Sequence, residues 1–163
     1  MTLFRPFAAL LLFAASACAT APAEPPSPSW YVMRHLQKAP GPDPALSAEG
    51  SANALRVASR FDDDRPSAIY VSTTRRARET AAPLAAKLGL TMKEYDPGDT
   101  PGLAAKVKSE AGTVLVVGHS NTVPDIVAAL GGARPADMAE TEFGDIFRVR
   151  RDGSVERMRL EMP

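Results

Sequence analysis

The two histidines of this chain each follow a run of apolar residues that is typical of a buried β-strand. Arg34 and His35 come directly after the run 30–33, and His119 comes after the run 113–117. Arg76 follows a third strand-like run, 69–72. Because the carboxyl ends of parallel strands form the ligand crevice of an open α/β sheet, these side chains are expected to meet at one edge. Imidazoles among guanidinium groups are the composition of a phosphoryl-transfer site built around a nucleophilic histidine.

The residue types match the requirements of that chemistry. The planar fork of an arginine suits the oxygens of a phosphomonoester, so Arg34 and Arg76 are predicted to bind the phosphate. A nucleophilic imidazole must be neutral, and the cationic neighbours of His35 should lower its pKa. His35 would then hold the phosphoryl group covalently, while His119 stabilises charge on the phosphoryl oxygens. This scheme needs no metal and no cofactor. Two histidines could instead bind zinc, but the adjacent arginines would repel a cation.

Strands alternate with helices along the chain, which predicts an α/β three-layer sandwich. The central sheet is expected to be mostly parallel, with helices on both faces, antiparallel edge strands and a C-terminal hairpin around Asp152-Gly153. Ser47 is predicted to cap the first helix. The apolar face assigned to that helix consists of Ala54, Leu55, Ala58 and Phe61.

A later helix is predicted to begin after Thr122. Thr122 would be its N-cap, Pro124 would lie in its first turn, and the carboxylate of Asp125 would reach back to the N–H of the cap.

Composition limits the class of partner. The chain has 163 residues and a formal net charge of zero, which suits one globular domain. Without a basic excess, nucleic acid is not expected as a partner. The expected partner is a phosphate-bearing small molecule or an envelope-linked phosphate.

The N-terminal segment predicts export. Residues 1–19 have the short n-region, apolar core and small cleavage-site residues of a signal peptide, 20–29 form a Pro/Ala-rich tether, and 30–163 form the domain. The segment 15–18 resembles a bacterial lipobox, in which Cys18 is lipidated and anchors the protein to a membrane facing the periplasm. The usual leucine is missing, and simple secretion into the periplasm is the alternative.

Four motifs, taken together, resemble those of the histidine phosphatase superfamily, which includes phosphoglycerate mutases and SixA-type phosphohistidine phosphatases. The segment 31–35 resembles its Arg-His-Gly strand, 46–50 its Leu-Ser/Thr-x-x-Gly element, 76–81 its second arginine motif, and 117–124 its second-histidine motif in the small bacterial branch. The resemblance implies a metal-independent phosphatase that forms a phosphohistidine on His35. Arg34, Arg76 and His119 would complete the phosphate pocket, with Asn121 as a further substrate-binding candidate.

Three departures from the family pattern bear on activity. Leu36 replaces the family glycine, so the turn after His35 must avoid a positive φ or tolerate a larger residue. The long insertions that cover mutase sites are missing, which makes mutase activity less expected. Many relatives have a general acid, for which this chain has three candidates: Glu94, Asp96 and Asp99. Asp99 is preferred because a mobile loop could bring its carboxylate over the site. The competing role of Asp99 is to cap a helix. A catalytically weak or inactive phosphate-binding module of the cell envelope is the alternative function.

Overall fold

The computed structural model describes residues 28–162, which form a six-stranded sheet and four helices. The strands are β1 (Ser29–Arg34), β2 (Ala68–Ser72), β3 (Lys93–Tyr95), β4 (Val114–Gly118), β5 (Asp145–Arg150) and β6 (Val155–Arg159). The helices are α1 (Ala48–Arg60), α2 (Arg75–Leu88), α3 (Thr100–Ser109) and α4 (Val123–Leu130). The predicted signal peptide with Cys18 and nearly all of the predicted tether lie outside the described residues. Ser29, the last residue assigned to the tether, already pairs in β1.

The sheet has the mixed topology that the sequence predicts. Its strand order is β3-β2-β4-β1-β5-β6, with β3, β2, β4 and β1 parallel and with β5 and β6 antiparallel at one edge. The β5–β6 hairpin turns at Gly153, which has a φ of 85° that glycine adopts without strain. β1 lies between β4 and β5 and pairs Arg34 with Gly118, so Arg34 and His119 are brought to one edge.

Alternating side chains of the buried strands serve two separate cores. Tyr31 and Met33 of β1 pack with α1 and α2 on one face, while Trp30 and Val32 pack with α3 and α4 on the other. The prediction of a three-layer α/β sandwich is therefore confirmed. No helix within residues 28–162 is both long enough and apolar enough to cross a membrane.

Helix α1 begins as predicted, but its buried face differs from the prediction by one position. The Ser47 hydroxyl accepts a hydrogen bond from the N–H of Gly50 at 3.0 Å, which is an N-cap contact. Leu55 is 63% exposed, and Val57 takes its place in the core beside Ala54. The assignment of Leu55 was wrong because the buried stripe follows the i, i+3, i+4 spacing from Ala54, which Leu55 does not share.

Two polar side chains near the start of α4 do not act as predicted. Thr122 is at the N-cap position, but its hydroxyl makes no cap contact and instead accepts from the N–H of His119 at 3.0 Å. The carboxylate of Asp125 pairs with Arg134 at 2.7 Å, so it does not reach back to the cap. The Thr122 hydroxyl thereby fixes the loop that carries His119 rather than the helix end.

Candidate active site

The main chain at the end of β1 fixes the tautomer of His35. Its backbone N–H donates to the carbonyl of Gly118 at 2.9 Å, and its Nδ1 lies 2.8 Å from the carbonyl oxygen of Leu36. A carbonyl only accepts, so Nδ1 carries the proton and the lone pair is on Nε2. Nothing in the described part of the chain hydrogen-bonds Nε2. That nitrogen is therefore chemically available as a nucleophile.

The residue that replaces the family glycine is part of the core. Leu36 is fully buried among the side chains of α1 and α2, and its backbone N–H donates to the Thr80 hydroxyl at 3.0 Å. Among the described non-glycine residues only Asp43 has a positive φ, so the turn after His35 needs no glycine conformation. Leu36 is thus accommodated by packing and does not strain the site.

His119 is held by two hydrogen bonds that define the other tautomer. Its Nε2 lies 2.8 Å from the Ser72 hydroxyl, and its Nδ1 lies 3.3 Å from Nη2 of Arg76. A guanidinium only donates, so Nδ1 accepts and Nε2–H donates to Ser72. His119 must therefore take up a proton at Nδ1 before it can donate from that atom to a phosphate oxygen.

Both imidazoles are neutral near physiological pH. The His35 and His119 ring centroids are 5.3 Å apart, and the residues are 2% and 8% exposed. The pKa of each histidine is lowered to about 4. Burial is the largest cause, and the neighbouring Arg76 and Arg34 add to it. The sequence correctly predicts a lowered pKa for His35. It attributes the shift to the neighbouring cations, whereas desolvation contributes more.

The guanidinium of Arg34 is buried and already makes hydrogen bonds within the protein. The residue is 1% exposed, and its Nη1 donates to the backbone carbonyls of Ala139 at 3.0 Å and Glu142 at 2.8 Å. Its Nη2 donates to the Glu140 carboxylate at 3.0 Å, and the Phe143 ring lies 4.2 Å from its central carbon. Burial lowers the pKa of Arg34, and the Glu140 carboxylate partly offsets this.

Each site arginine keeps a buried N–H without a protein partner. The Nε atoms of Arg34 and Arg76 are buried and have no hydrogen-bond partner among the described residues. Arg76 otherwise lies 3.8 Å from the Asp43 carboxylate through Nη1. Because an unsatisfied buried donor costs about 1–3 kcal/mol, two such groups beside neutral imidazoles indicate a site built to receive an anion.

Two open clefts flank these residues. One of about 420 Å³ is lined by Thr74, Arg76, Pro97, Gly98, His119, Asn121 and Thr122. Another of about 330 Å³ is lined by Ser120, Asn121, Arg134, Asp137, Met138 and Glu140. The exposed Asn121 belongs to both walls, which suits its predicted role in binding substrate. A larger cleft of about 560 Å³, beside Leu55 and Arg159, contains neither histidine.

The three carboxylates predicted as acid candidates are engaged in other contacts. Asp99 caps α3 by accepting from the N–H of Gly102 at 2.9 Å, which is its competing role. Asp96 accepts from the N–H of Gly98 at 2.8 Å, and Glu94 pairs with Arg78 at 3.0 Å. None of the three lines either cleft beside His119. Arg75, which precedes Arg76 in the chain, is 59% exposed and pairs with Glu79.

Several contacts of the site come from residues that sequence reasoning missed. Glu140 and Phe143 lie in the long α4–β5 connection, which has no periodic pattern that could have placed them. The sequence shows Ser120 only as the residue that follows His119. In the structure its hydroxyl donates to the Glu140 carboxylate at 2.6 Å. Thr80 belongs to the second arginine motif, but its contact with Leu36 depends on the tertiary fold.

The structure therefore places two histidines and two arginines at one edge of an α/β sheet. Residues 30–98 match the family model described as the histidine phosphatase superfamily (branch 1). The family resemblance stated from the motifs is thereby confirmed. The second-histidine motif, 117–124, lies beyond the matched segment, and the structure brings it to the same edge.

Solved structures show the same fold at low sequence identity. The protein histidine phosphatase SixA complexed with tungstate is 20% identical, with a TM-score of 0.61 over 80% of this chain and 96% of that one. A mycobacterial glucosyl-3-phosphoglycerate phosphatase in complex with VO3 is 17% identical, with a TM-score of 0.64 over 84% and 100%. A protein from Agrobacterium tumefaciens that is described as a phosphohistidine phosphatase SixA is 22% identical, with a TM-score of 0.58 over 83% of this chain and 99% of that one. No curated protein sequence gives a significant match.

Proposed function

We propose that this protein is a metal-independent phosphatase that acts through a phosphohistidine on His35. One observation carries the proposal: a neutral imidazole with an unbonded Nε2 lies beside two arginines that each keep an unpartnered, buried Nε–H. A phosphomonoester dianion supplies the acceptors that those N–H groups lack. The similar proteins named for phosphatase activity, including structures with tungstate and VO3, support this reading.

The reaction would proceed in two displacements at phosphorus. The Nε2 lone pair of His35 forms the N–P bond while the bond from phosphorus to the leaving oxygen breaks. Water then attacks phosphorus, the N–P bond breaks, its electron pair returns to Nε2, and the proton that the water loses neutralises the oxide that left in the first step. Arg34 and Arg76 would hold the phosphoryl oxygens, and His119 would donate from Nδ1 once the bound dianion has raised its affinity for a proton.

Substrate choice depends on the leaving group. None of the three candidate acids lines either cleft. Substrates whose leaving group needs no strong proton donor would therefore react fastest, such as aryl phosphates or phosphoramidates. Both clefts are open, which suits a phosphatase better than a mutase, since a mutase must protect its phosphoenzyme from water.

The contacts of the three candidate acids favour a second candidate function. With Asp99, Asp96 and Glu94 all engaged elsewhere, a catalytically weak or inactive phosphate-binding module fits the structure too. Such a module would bind inorganic phosphate or vanadate and would turn over no phosphomonoester.

The decisive experiment is turnover of p-nitrophenyl phosphate by the wild type and His35→Ala. We expect activity that resists EDTA, a labelled phosphoenzyme that is stable in base, and the loss of both in the variant. Glu156→Gln, which changes a surface charge on the β5–β6 hairpin, is the control. Turnover that survives in His35→Ala contradicts the assignment of the nucleophile, and phosphate binding without turnover in the wild type favours the second candidate.

We also propose export, with the protein in the periplasm and anchored through a lipidated Cys18. The proposal is supported by the signal-like residues 1–19 and the lipobox-like segment 15–18. Incorporation of labelled palmitate into the precursor, and its loss in Cys18→Ser, is the expected result; an unlabelled, processed protein would instead mean simple secretion.

A further inference from the structure

Glu140 contacts the two parts of the site that a phosphate would need. Its Oε2 accepts from Nη2 of the buried Arg34 at 3.0 Å, and its Oε1 accepts from the hydroxyl of Ser120, the residue after His119, at 2.6 Å. The carboxylate is also close enough to both histidines to interact with them electrostatically. An anion of this chain therefore already lies at the predicted phosphate site.

The geometry of Arg34 shows which edge remains for a ligand. Both donors of Nη1 are used by the carbonyls of Ala139 and Glu142. The Nε–H and one Nη2–H of a guanidinium point in the same direction and form the fork that binds an oxyanion side-on. Nε has no partner among the described residues, and the neighbouring Nη2 donates to Glu140. Glu140 thus uses one of the two donors of Nη2 and leaves the Nε donor beside it unsatisfied.

The two kinds of contact differ in how easily they can be released. The hydrogen bonds of Nη1 go to backbone carbonyls of the α4–β5 loop, so they can be broken only if that loop moves. The Glu140 side chain is 78% exposed, so a rotation about its own bonds can carry the carboxylate into water. The same exposure lets water screen the attraction between this carboxylate and Arg34. The contact of Glu140 is therefore the one that an incoming anion can displace.

A phosphoryl group and Glu140 cannot share the edge without a cost. Both are anions, and two like charges that compete for one guanidinium repel each other at close range. In the free protein, moreover, His35 and Arg34 are almost completely covered, with 2% and 1% exposure. Binding to them must move an outer group, and Glu140 is the exposed side chain that contacts Arg34.

We propose that Glu140 is a displaceable internal anion that occupies the phosphate-binding edge of Arg34 in the free protein and so sets the affinity for the phosphoryl group. The inference rests on the proposed function in that it takes the ligand to be a phosphoryl group. Substrate binding exchanges the Glu140 carboxylate for a phosphoryl oxygen at Nη2, fills the vacant Nε, and frees the Ser120 hydroxyl to donate to the ligand.

The test is direct titration of inorganic phosphate into the wild type, Glu140→Gln and Glu140→Ala by calorimetry. Removing the competing charge is expected to tighten phosphate binding on the order of tenfold in both variants. Glu156→Gln is the matched control, because Glu156 is also a partly exposed glutamate that pairs with an arginine, Arg150 at 2.8 Å, and lies on the β5–β6 hairpin. Its affinity should equal that of the wild type.

The outcomes separate this inference from the proposed function. Tighter phosphate binding in both Glu140 variants with the control unchanged supports the inference, even if no form turns over a substrate. Unchanged or weaker binding overturns it, whatever the activity; if turnover of alkyl phosphates also falls, Glu140 is a proton donor instead. If no form binds phosphate, both proposals fail.

Discussion

Replacing Thr80 with valine should disturb the orientation of His35 without touching any substrate. The Thr80 hydroxyl accepts from the N–H of Leu36 at 3.0 Å and donates to the carbonyl of Arg76 at 2.8 Å. The Leu36 carbonyl in turn holds Nδ1 of His35. Thr80 is therefore a positioning residue that connects α2 to the turn carrying the nucleophile.

The magnitude follows from burial. Leu36 and Thr80 are both fully buried, so valine leaves the Leu36 N–H without a partner and without water. An unsatisfied buried donor costs about 1–3 kcal/mol, which should appear as a lower free energy of unfolding in urea. Displacement of the turn by a fraction of an ångström should also reduce kcat about tenfold while KM changes little.

Thr80→Ser separates the hydroxyl from the methyl group. Serine keeps the hydrogen bonds and loses one buried methyl, at a cost of about 1 kcal/mol, so we expect reduced stability with nearly normal kcat. NMR of the His35 ring nitrogens reports the tautomer in each variant and needs no turnover. Valine and serine variants that lose activity equally, or a valine variant as stable and active as the wild type, would refute the positioning role.

Three further predictions concern the imidazoles and the start of α1. Because the chain has only two histidines, NMR of the ring nitrogens should resolve both of them. We expect opposite tautomers and titration near pH 4. Two identical tautomers, or titration near pH 6.5, would contradict the site geometry. Since each folded-state pKa is below the ordinary value of 6.5, the unfolded chain binds the extra protons, and the free energy of unfolding should fall as pH drops from about 6.5 towards 4. Gly50→Ala should lower the free energy of unfolding by about 1–3 kcal/mol or more, because its Cβ would lie 2.0 Å from the backbone oxygen of Gln37. Ser51→Ala, on the exposed side of the same turn, is its control, and equal melting temperatures for the two variants would count against the close approach.

Local patterns in the sequence predicted the elements of the fold and the inner part of the site. Apolar runs followed by Arg34, His35 and His119 indicate strands of an α/β sheet, and parallel strands must end at one edge. The cap at Ser47 and the turn at Gly153 depend on short-range contacts, so they too could be read from neighbouring residues. Where an expectation failed, as for Leu55, the helix was right and one residue of its buried face was misassigned.

The sequence by itself determined which residues could perform phosphoryl chemistry and that they would meet at a sheet edge. Only the tertiary structure decided which side chains hold them: Thr80 at the turn, Ser72 on His119, and Glu140 on Arg34. Arg34 and Glu140 are separated by 106 residues, and the loop that carries the glutamate has no periodicity to place it. Contacts of that kind depend on packing between distant elements, and burial, which lowers both histidine pKa values, exists only once that packing has formed.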